Sequence, residues 1–328
     1  MDRIETAGLQ LSRRRLLGLS LGTLSAGALA ACSSSPSLPA SSGSASSGGS
    51  PGSGSGSAID LAAFDAVLSK GAVADASLVD GNEWAKAIKA RGSINRGGTD
   101  TSSLFSLRDP ATGKVAGFDA GISQLLAKYI TGQPKENLSQ VTVDTRETLL
   151  QNQSVDLIIA TYSITPARQQ KVDFAGPYYE SKSAILVKST NSNINSVDDL
   201  AGKNVATQGA STGVALLQKY APKANVQTFD DNPKCLAAVQ QGRVDAYVID
   251  QSILLSNVAK NKDVKIVGDP FGNADPYGIG LHKGSDALAF VNTWLKSIEA
   301  DGSWAALWKA TVGQVVKTDP PKPPAIAS

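Results

Sequence analysis

The residues of this chain that could do chemistry stand at the ends of short apolar runs. Between Val155 and Arg168 an apolar stretch ends near Ala160, and the polar Thr161 and Ser163 emerge from it. Thr165 is placed to cap a helix whose first residue is Pro166. Arg168 then falls in the first helical turn, where the helix dipole opposes a cation. That cost is offset if an anion sits there, met by a forked guanidinium and by helix N–H groups. A surface arginine paired with a carboxylate such as Asp173 would have the same spacing.

Three further positions carry charge or anion-binding backbone. In Gln208-Gly209-Ala210-Ser211-Thr212-Gly213 small residues open a helix just after a short strand. Backbone N–H groups there can face an anion, although Ser211 and Thr212 also suit a plain helix cap. Asp250 follows the apolar run Val244–Ile249 and has the charge an ammonium group needs. It could equally cap a helix beginning near Gln251. Arg146, in Asp144-Thr145-Arg146-Glu147, is by itself an ordinary helix-terminal arginine.

Other chemistries find few residues to use. With two cysteines and one histidine, a zinc site of the usual kinds is not expected, and no metal or cofactor is. His282 is the single candidate base for an activated nucleophile. Its setting, Leu281-His282-Lys283-Gly284, reads as a strand passing into a loop and hence as a solvated bystander.

The elements that must hold these residues alternate. Leu61, Phe64, Val67 and Leu68, then Trp84 and Ile88, have helical spacing. Asp119 is expected to cap a helix carrying Ile122, Leu125, Leu126 and Tyr129 on one face, with Gly132 ending it. Short apolar strands are predicted at 155–160, 184–187, 205–207 and 244–249, and helices at 212–220, 233–241, 287–299 and 303–309. Strands of this kind separated by helices argue for α/β architecture with parallel sheets covered on both faces. In such sheets ligands bind beyond the carboxyl ends of the strands, where the residues above lie.

The ends of the chain are of a different kind. Arg13, Arg14 and Arg15 precede an apolar run that continues to Ala31, a secretory leader with the look of a twin-arginine signal. Leu29-Ala30-Ala31-Cys32 resembles a lipobox, so Cys32 is expected to be acylated and to become the mature N-terminus. Residues 33–58 are almost wholly Ser, Gly, Pro and Ala and suit a flexible tether. These features lead one to expect the folded part outside the cytoplasmic membrane, lipid-anchored at its outer face. Cys235 is then left without a disulfide partner. The leader holds four of the 31 basic and two of the 29 acidic residues, which leaves 27 of each from Cys32 onward. That balance offers no case for nucleic-acid binding. A Pro-rich tail from about residue 319 is expected to be disordered.

Taken in order, these segments resemble the polar-amino-acid family of extracellular solute-binding lipoproteins that serve ABC importers. The resemblance runs from about Trp84 to Lys309. It rests on Gly117-Phe118-Asp119, Ala160-Thr161-Tyr162-Ser163-Ile164-Thr165 with Arg168, Val172-Asp173-Phe174 and Pro177-Tyr178-Tyr179. It continues through Asp199-Leu200-Ala201-Gly202-Lys203, Gly242-Arg243-Val244-Asp245-Ala246 ending at Asp250, Tyr277-Gly278-Ile279-Gly280-Leu281 and Asp301-Gly302-Ser303-Trp304.

The resemblance implies a two-lobed, type II periplasmic-binding-protein-like fold that closes over its ligand. Lobe 1 would comprise residues 59–184 with 278–318 and lobe 2 residues 187–270, with hinge strands near 184–188 and 270–278. Carried over, Arg168 would hold an amino acid's α-carboxylate with help from Ser163, Thr212 and Ser211. Asp250 would hold the α-ammonium, and Thr161 would offer a backbone contact. Arg146, with Arg108 as a second candidate, would meet a side-chain carboxylate, which favours glutamate, then aspartate or glutamine. The implied partners are the free amino acid, an ABC permease and its ATPase, and the membrane through the lipid, with the chain a monomer.

Two positions depart from the family pattern. Gly121 stands where a second acid is usual, a change expected to alter helix solvation. Thr99 fills the slot of a first-strand aspartate, with Asp100 one residue away. A sensor that reports amino-acid levels to a membrane kinase would use the same closure. A dehydratase on this scaffold would need a general acid that the sequence does not offer.

Overall fold

The structure, a computed structural model, describes residues 59–326. The leader, Cys32 and the tether up to Ala58 lie outside the described residues. Among the described residues no helix is long and apolar enough to cross a membrane.

Among the described residues eleven strands follow in chain order. They are β1 (Ile94–Gly98), β2 (Thr101–Ser102), β3 (Ser106–Arg108), β4 (Val115–Ala116), β5 (Glu136–Gln140) and β6 (Leu157–Ile158). After them come β7 (Asp173–Lys188), β8 (Asn204–Gln208), β9 (Asn225–Phe229), β10 (Ala246–Asp250) and β11 (Val264–Leu281). Eight of them form one sheet in the order β5-β1-β6-β11-β7-β10-β8-β9. The β5-β1-β6 end and the β10-β8-β9 end are parallel, as expected. Between them the long strands β7 and β11 run antiparallel to each other and join the two ends. The segments read as hinges at 184–188 and 270–278 therefore belong to two continuous strands.

Period-2 alternation explains why the predicted strands read as unbroken apolar runs. Ala184, Leu186, Ala206, Tyr247 and Ile249 pack into one core, while Ile185, Val187, Val205, Ala246 and Val248 pack into another. Both faces of this part of the sheet are thus covered, and neighbouring residues must all be apolar. Of the helices over it, Thr212–Tyr220 and Asn232–Gln240 lie where the spacing put them, and Gln251–Lys260 follows Asp250. The β5-β1-β6 end packs against a larger core built on the helices Phe118–Thr131, Ala287–Ala300 and Ser303–Ala310. The small antiparallel sheet β2-β3-β4 was not foreseen, because its strands are two or three residues long.

The N-terminal helices Leu61–Lys70, Ala76–Asp80 and Glu83–Arg91 belong to that larger core through Phe64, Leu68, Val79, Ala85 and Ile88. They also explain Gly121. A Cβ there would lie 2.4 Å from a Leu307 methyl and 3.0 Å from the Phe64 ring. The missing acid is a matter of packing, since the position is buried beneath a helix and is not a question of solvation. Gly121→Asp is expected to destabilise the fold by about 3 kcal/mol or more, through overpacking and an unpaired buried charge, as read by urea unfolding. At the other end, residues 319–326 have no regular secondary structure, but Ile326 packs against the main core.

Candidate functional site

A cavity of about 90 Å³ opens where the carboxyl ends of the strands from both sides of the sheet converge. Arg146, Thr161, Ser163, Arg168, Ser211, Thr212 and Asp250 all line it. Thr99 lines it too. Asp100 is held instead by Arg108.

Arg168 sits as its capping pattern foretold. Thr165 Oγ1 accepts from the Arg168 amide at 3.3 Å and starts the short helix Pro166–Gln169. The guanidinium is buried, its Nη1 donating to Ser163 O at 2.8 Å and its Nη2 to Ala210 O at 3.1 Å. Asp173, the alternative partner, is taken by Lys283 at 2.8 Å. A second guanidinium lies beside it. Arg146 is 4 % exposed, with Cζ 4.1 Å from the centre of the Tyr162 ring, while Arg168 Cζ is 5.2 Å from the same ring. Burial, and then the charge of Arg168, push the Arg146 guanidinium down to about 10. Arg146 Nη1 donates to Ala160 O at 3.1 Å, but its buried Nε has no partner. Two desolvated cations and an unused N–H are what an anionic or carbonyl oxygen requires.

Across the cavity Asp250 ends β10 and is 3 % exposed. It makes no side-chain cap for the helix Gln251–Lys260, so the duller reading of this residue does not hold. Its Oδ2 accepts from Tyr277 Oη at 2.6 Å, and its buried Oδ1 has no partner. Burial, reinforced by the nearby Asp275 charge, pushes its carboxyl up to about 7. A buried carboxylate with one idle oxygen suits a cationic donor.

The hydroxyl residues are more committed than the sequence suggested. Thr212 Oγ1 donates to Asp275 Oδ2 at 2.7 Å, and Ser211 Oγ donates to Gln208 O at 2.7 Å. What that helix start can offer an anion is its backbone N–H groups. The Thr161 amide donates to Asp119 Oδ2 at 2.8 Å, so that N–H is not free for a ligand. Thr161 also has φ +45°, a left-handed conformation that costs a β-branched residue of the order of 1–3 kcal/mol.

One candidate falls outside the cavity altogether. Arg108 ends β3 on the small antiparallel sheet, with its Nε bonded to Asp100 at 2.8 Å and its Nη1 to Gly113 O at 2.9 Å. The hairpin carries its side chain outward, where it is 42 % exposed. His282 is half-buried rather than solvated, with its Nε2 3.2 Å from Gln153 Nε2, and it does not line the cavity.

Asp119 was missed. It does not cap its helix, because Gly117 precedes the first helical residue, Phe118, and Asp119 lies within the first turn. It is 1 % exposed, lines the cavity, and accepts from both Thr161 N and Tyr178 Oη. Burial raises its carboxyl to about 6 against the pull of those hydrogen bonds. Asp230, Asp231 and Asn232, at the start of the helix Asn232–Gln240, also reach the cavity. Asp231 does cap that helix, accepting from the Lys234 amide at 2.8 Å. Among the described residues no group of His, Cys, Asp and Glu could hold a metal ion.

Comparison with known proteins agrees with this architecture. Residues 94–314 match the bacterial extracellular solute-binding proteins, family 3. The ABC transporter glutamine-binding protein GlnH of Bacillus subtilis is 35% identical over 255 residues, which cover 77% of this chain and 91% of that one. The glutamate-binding protein GluB of Corynebacterium glutamicum is 30% identical over 270 residues, 76% of this chain and 90% of that one. The solved solute receptor for L-cysteine of Neisseria gonorrhoeae superposes with a TM-score of 0.67 at 28% identity, covering 72% of this chain and 97% of its own. The two-lobed fold is that of the type II amino-acid-binding proteins. This chain therefore belongs to family 3 of the bacterial extracellular solute-binding proteins.

Proposed function

We propose that this protein captures free glutamate, or its relatives aspartate and glutamine, between its lobes and delivers it to an ABC permease and its ATPase. Residues 59–184 with 278–318 form one lobe and 187–270 the other, joined through β7 and β11. Arg168 takes the α-carboxylate and Asp250 the α-ammonium. Arg146 meets the side-chain oxygen. The observation that carries this reading is the pair of idle, buried polar atoms in one cavity, Asp250 Oδ1 and Arg146 Nε. A zwitterion with an oxygen-bearing side chain would satisfy both. Three charge-assisted contacts at roughly 1.5–3 kcal/mol each, less the costs of ordering, are compatible with micromolar binding. Ligand that favours the closed arrangement supplies the signal an importer reads.

The protein works as a monomer, held to the outer face of the membrane by acylated Cys32. Relatives named for glutamine and for glutamate support the ligand class. Titration of the ligand-free protein with the twenty amino acids in a calorimeter tests it. Glutamate, aspartate or glutamine is expected to give a one-to-one isotherm. Heat from basic or apolar amino acids alone would refute the ligand class. Arg146→Met is expected to weaken glutamate about thirtyfold while changing alanine, measured by competition, less than threefold. Equal losses for both ligands would remove the role assigned to Arg146.

A further inference from the structure

Thr161 is a β-branched residue in a left-handed conformation at the floor of the cavity, and something must hold it there. Its amide donates to Asp119 Oδ2 at 2.8 Å, and its hydroxyl donates to Ala160 O at 2.8 Å. The same carbonyl receives Arg146 Nη1 at 3.1 Å. Asp119 is in turn fixed from the other side by Tyr178 Oη at 2.8 Å, and Tyr178 has its carbonyl bonded by the Trp304 indole N–H at 2.8 Å. A continuous chain of hydrogen bonds thus runs from the core to the guanidinium that faces the ligand.

We infer that Asp119 is a positioning residue for the binding site, whose carboxylate clamps the Thr161 amide and through it sets the Ala160 carbonyl that anchors Arg146. Asp119 lines the cavity, but each of its carboxylate oxygens is already engaged, one by the Thr161 amide and the other by Tyr178 Oη. Its effect on binding passes through the backbone of Thr161, and this step rests on the role of Arg146 proposed above. The carboxylate suits the task because it accepts from two converging donors without presenting a hydrogen to either. Thr161 is strained and the clamp opposes that strain. A glycine at 161 would adopt the same conformation without the clamp.

A double-mutant cycle tests this, with L-glutamate and L-glutamine as probes in calorimetry. Asp119→Ala is expected to weaken binding of the preferred probe at least tenfold in the native background. In a Thr161→Gly background the same substitution should cost threefold or less. Tyr178→Phe removes the other hydrogen bond to Asp119 but leaves the clamp, and should stay within threefold of the native protein. Equal losses from Asp119→Ala in both backgrounds would overturn the inference, because Asp119 would then act independently of Thr161. So would a Tyr178→Phe loss as large as that of Asp119→Ala.

Amide hydrogen exchange on the unmodified protein decides the matter if the variants do not fold or neither probe binds. The Thr161 amide is expected to exchange at least a thousandfold more slowly than in an unstructured chain. Exchange within tenfold of the unstructured rate would refute the clamp. Failure of both probes with a protected Thr161 amide would instead count against the ligand class and leave the clamp standing.

Discussion

Arg168→Met is expected to abolish amino-acid binding, with at least a hundredfold loss for every ligand the native protein takes. Methionine keeps most of the side chain's length and apolar contact, so the loss isolates the guanidinium. In the native protein two of its nitrogens are bonded to carbonyls, Ser163 O and Ala210 O. Those bonds aim the fork, whose positive charge is offset in part by an ion pair from Nε to Glu147. Glu147 at 3.7 Å is too distant to match it through a good hydrogen bond. Removing one partner of a buried charge pair typically costs about 3–5 kcal/mol, which corresponds to more than a hundredfold. The loss should be uniform across ligands, because every amino acid carries the same α-carboxylate. A calorimetric titration in which Arg168→Met still binds within tenfold of the native protein would remove Arg168 from the site.

Asp250→Asn should separate binding from stability in a way that few substitutions do. Affinity is expected to fall at least a hundredfold, since an amide cannot neutralise a buried ammonium. The empty protein should nevertheless melt higher, by about 3 °C or more at pH 7.5. The sign follows from the raised carboxyl. Asp250 is pushed up to about 7 in the folded chain from an ordinary 3.8. Between those values the folded state holds more protons than the unfolded one, so stability falls as pH rises from about 4 to about 7. Above 7 the full penalty of a buried charge with an idle oxygen persists. Asparagine does not titrate and escapes it, so the gain in melting temperature should shrink as the pH is lowered toward 4. The same titration governs binding in the native protein. An ammonium needs the ionised carboxylate, so affinity should be level above pH 7. Below it, affinity should fall, approaching tenfold per pH unit. A binding site maintained at the expense of stability is the usual compromise of functional residues. An Asp250→Asn protein that melts lower and binds normally would contradict both halves of this argument.

How far the sequence could be read depended on whether a residue's role was local. The helix Thr212–Tyr220 and the N-cap at Thr165 follow from patterns within a few residues, and both stand where they were expected. The double-sided burial of β8 and β10 was legible because both faces demand apolar side chains. The full length of β7 and β11 was not. Gly176 and Pro177 interrupt the first, while Gly268, Pro270, Gly272 and several register shifts interrupt the second. Their pairing with each other holds them extended where local propensity would break them.

Site residues divide the same way. Arg168 and Asp250, which both line the cavity, were legible as candidates because they follow apolar runs, and ligands gather where strands end. Asp119 was misread by two residues, since the N-cap is Gly117. Gly117 brings its Cα so close to Phe105 that an added Cβ would lie 2.4 Å from that residue's carbonyl oxygen. That approach starts the helix at Phe118 and turns Asp119 inward. Arg108 was misplaced for a comparable reason. Nothing local distinguishes a charged residue facing a cleft from one on the outer side of a short hairpin.

The proposed function needs one small zwitterion to be held at its two ends, by a guanidinium on one side of the cavity and a carboxylate on the other. The most direct measurement is competition calorimetry on the purified protein with paired analogues of its best ligand, one N-acetylated and one with the α-carboxylate converted to an amide. Each change removes a single charge from the backbone end and leaves the side chain untouched. Both analogues are expected to lose at least a hundredfold in affinity. Binding of either within tenfold of the parent amino acid would contradict the account.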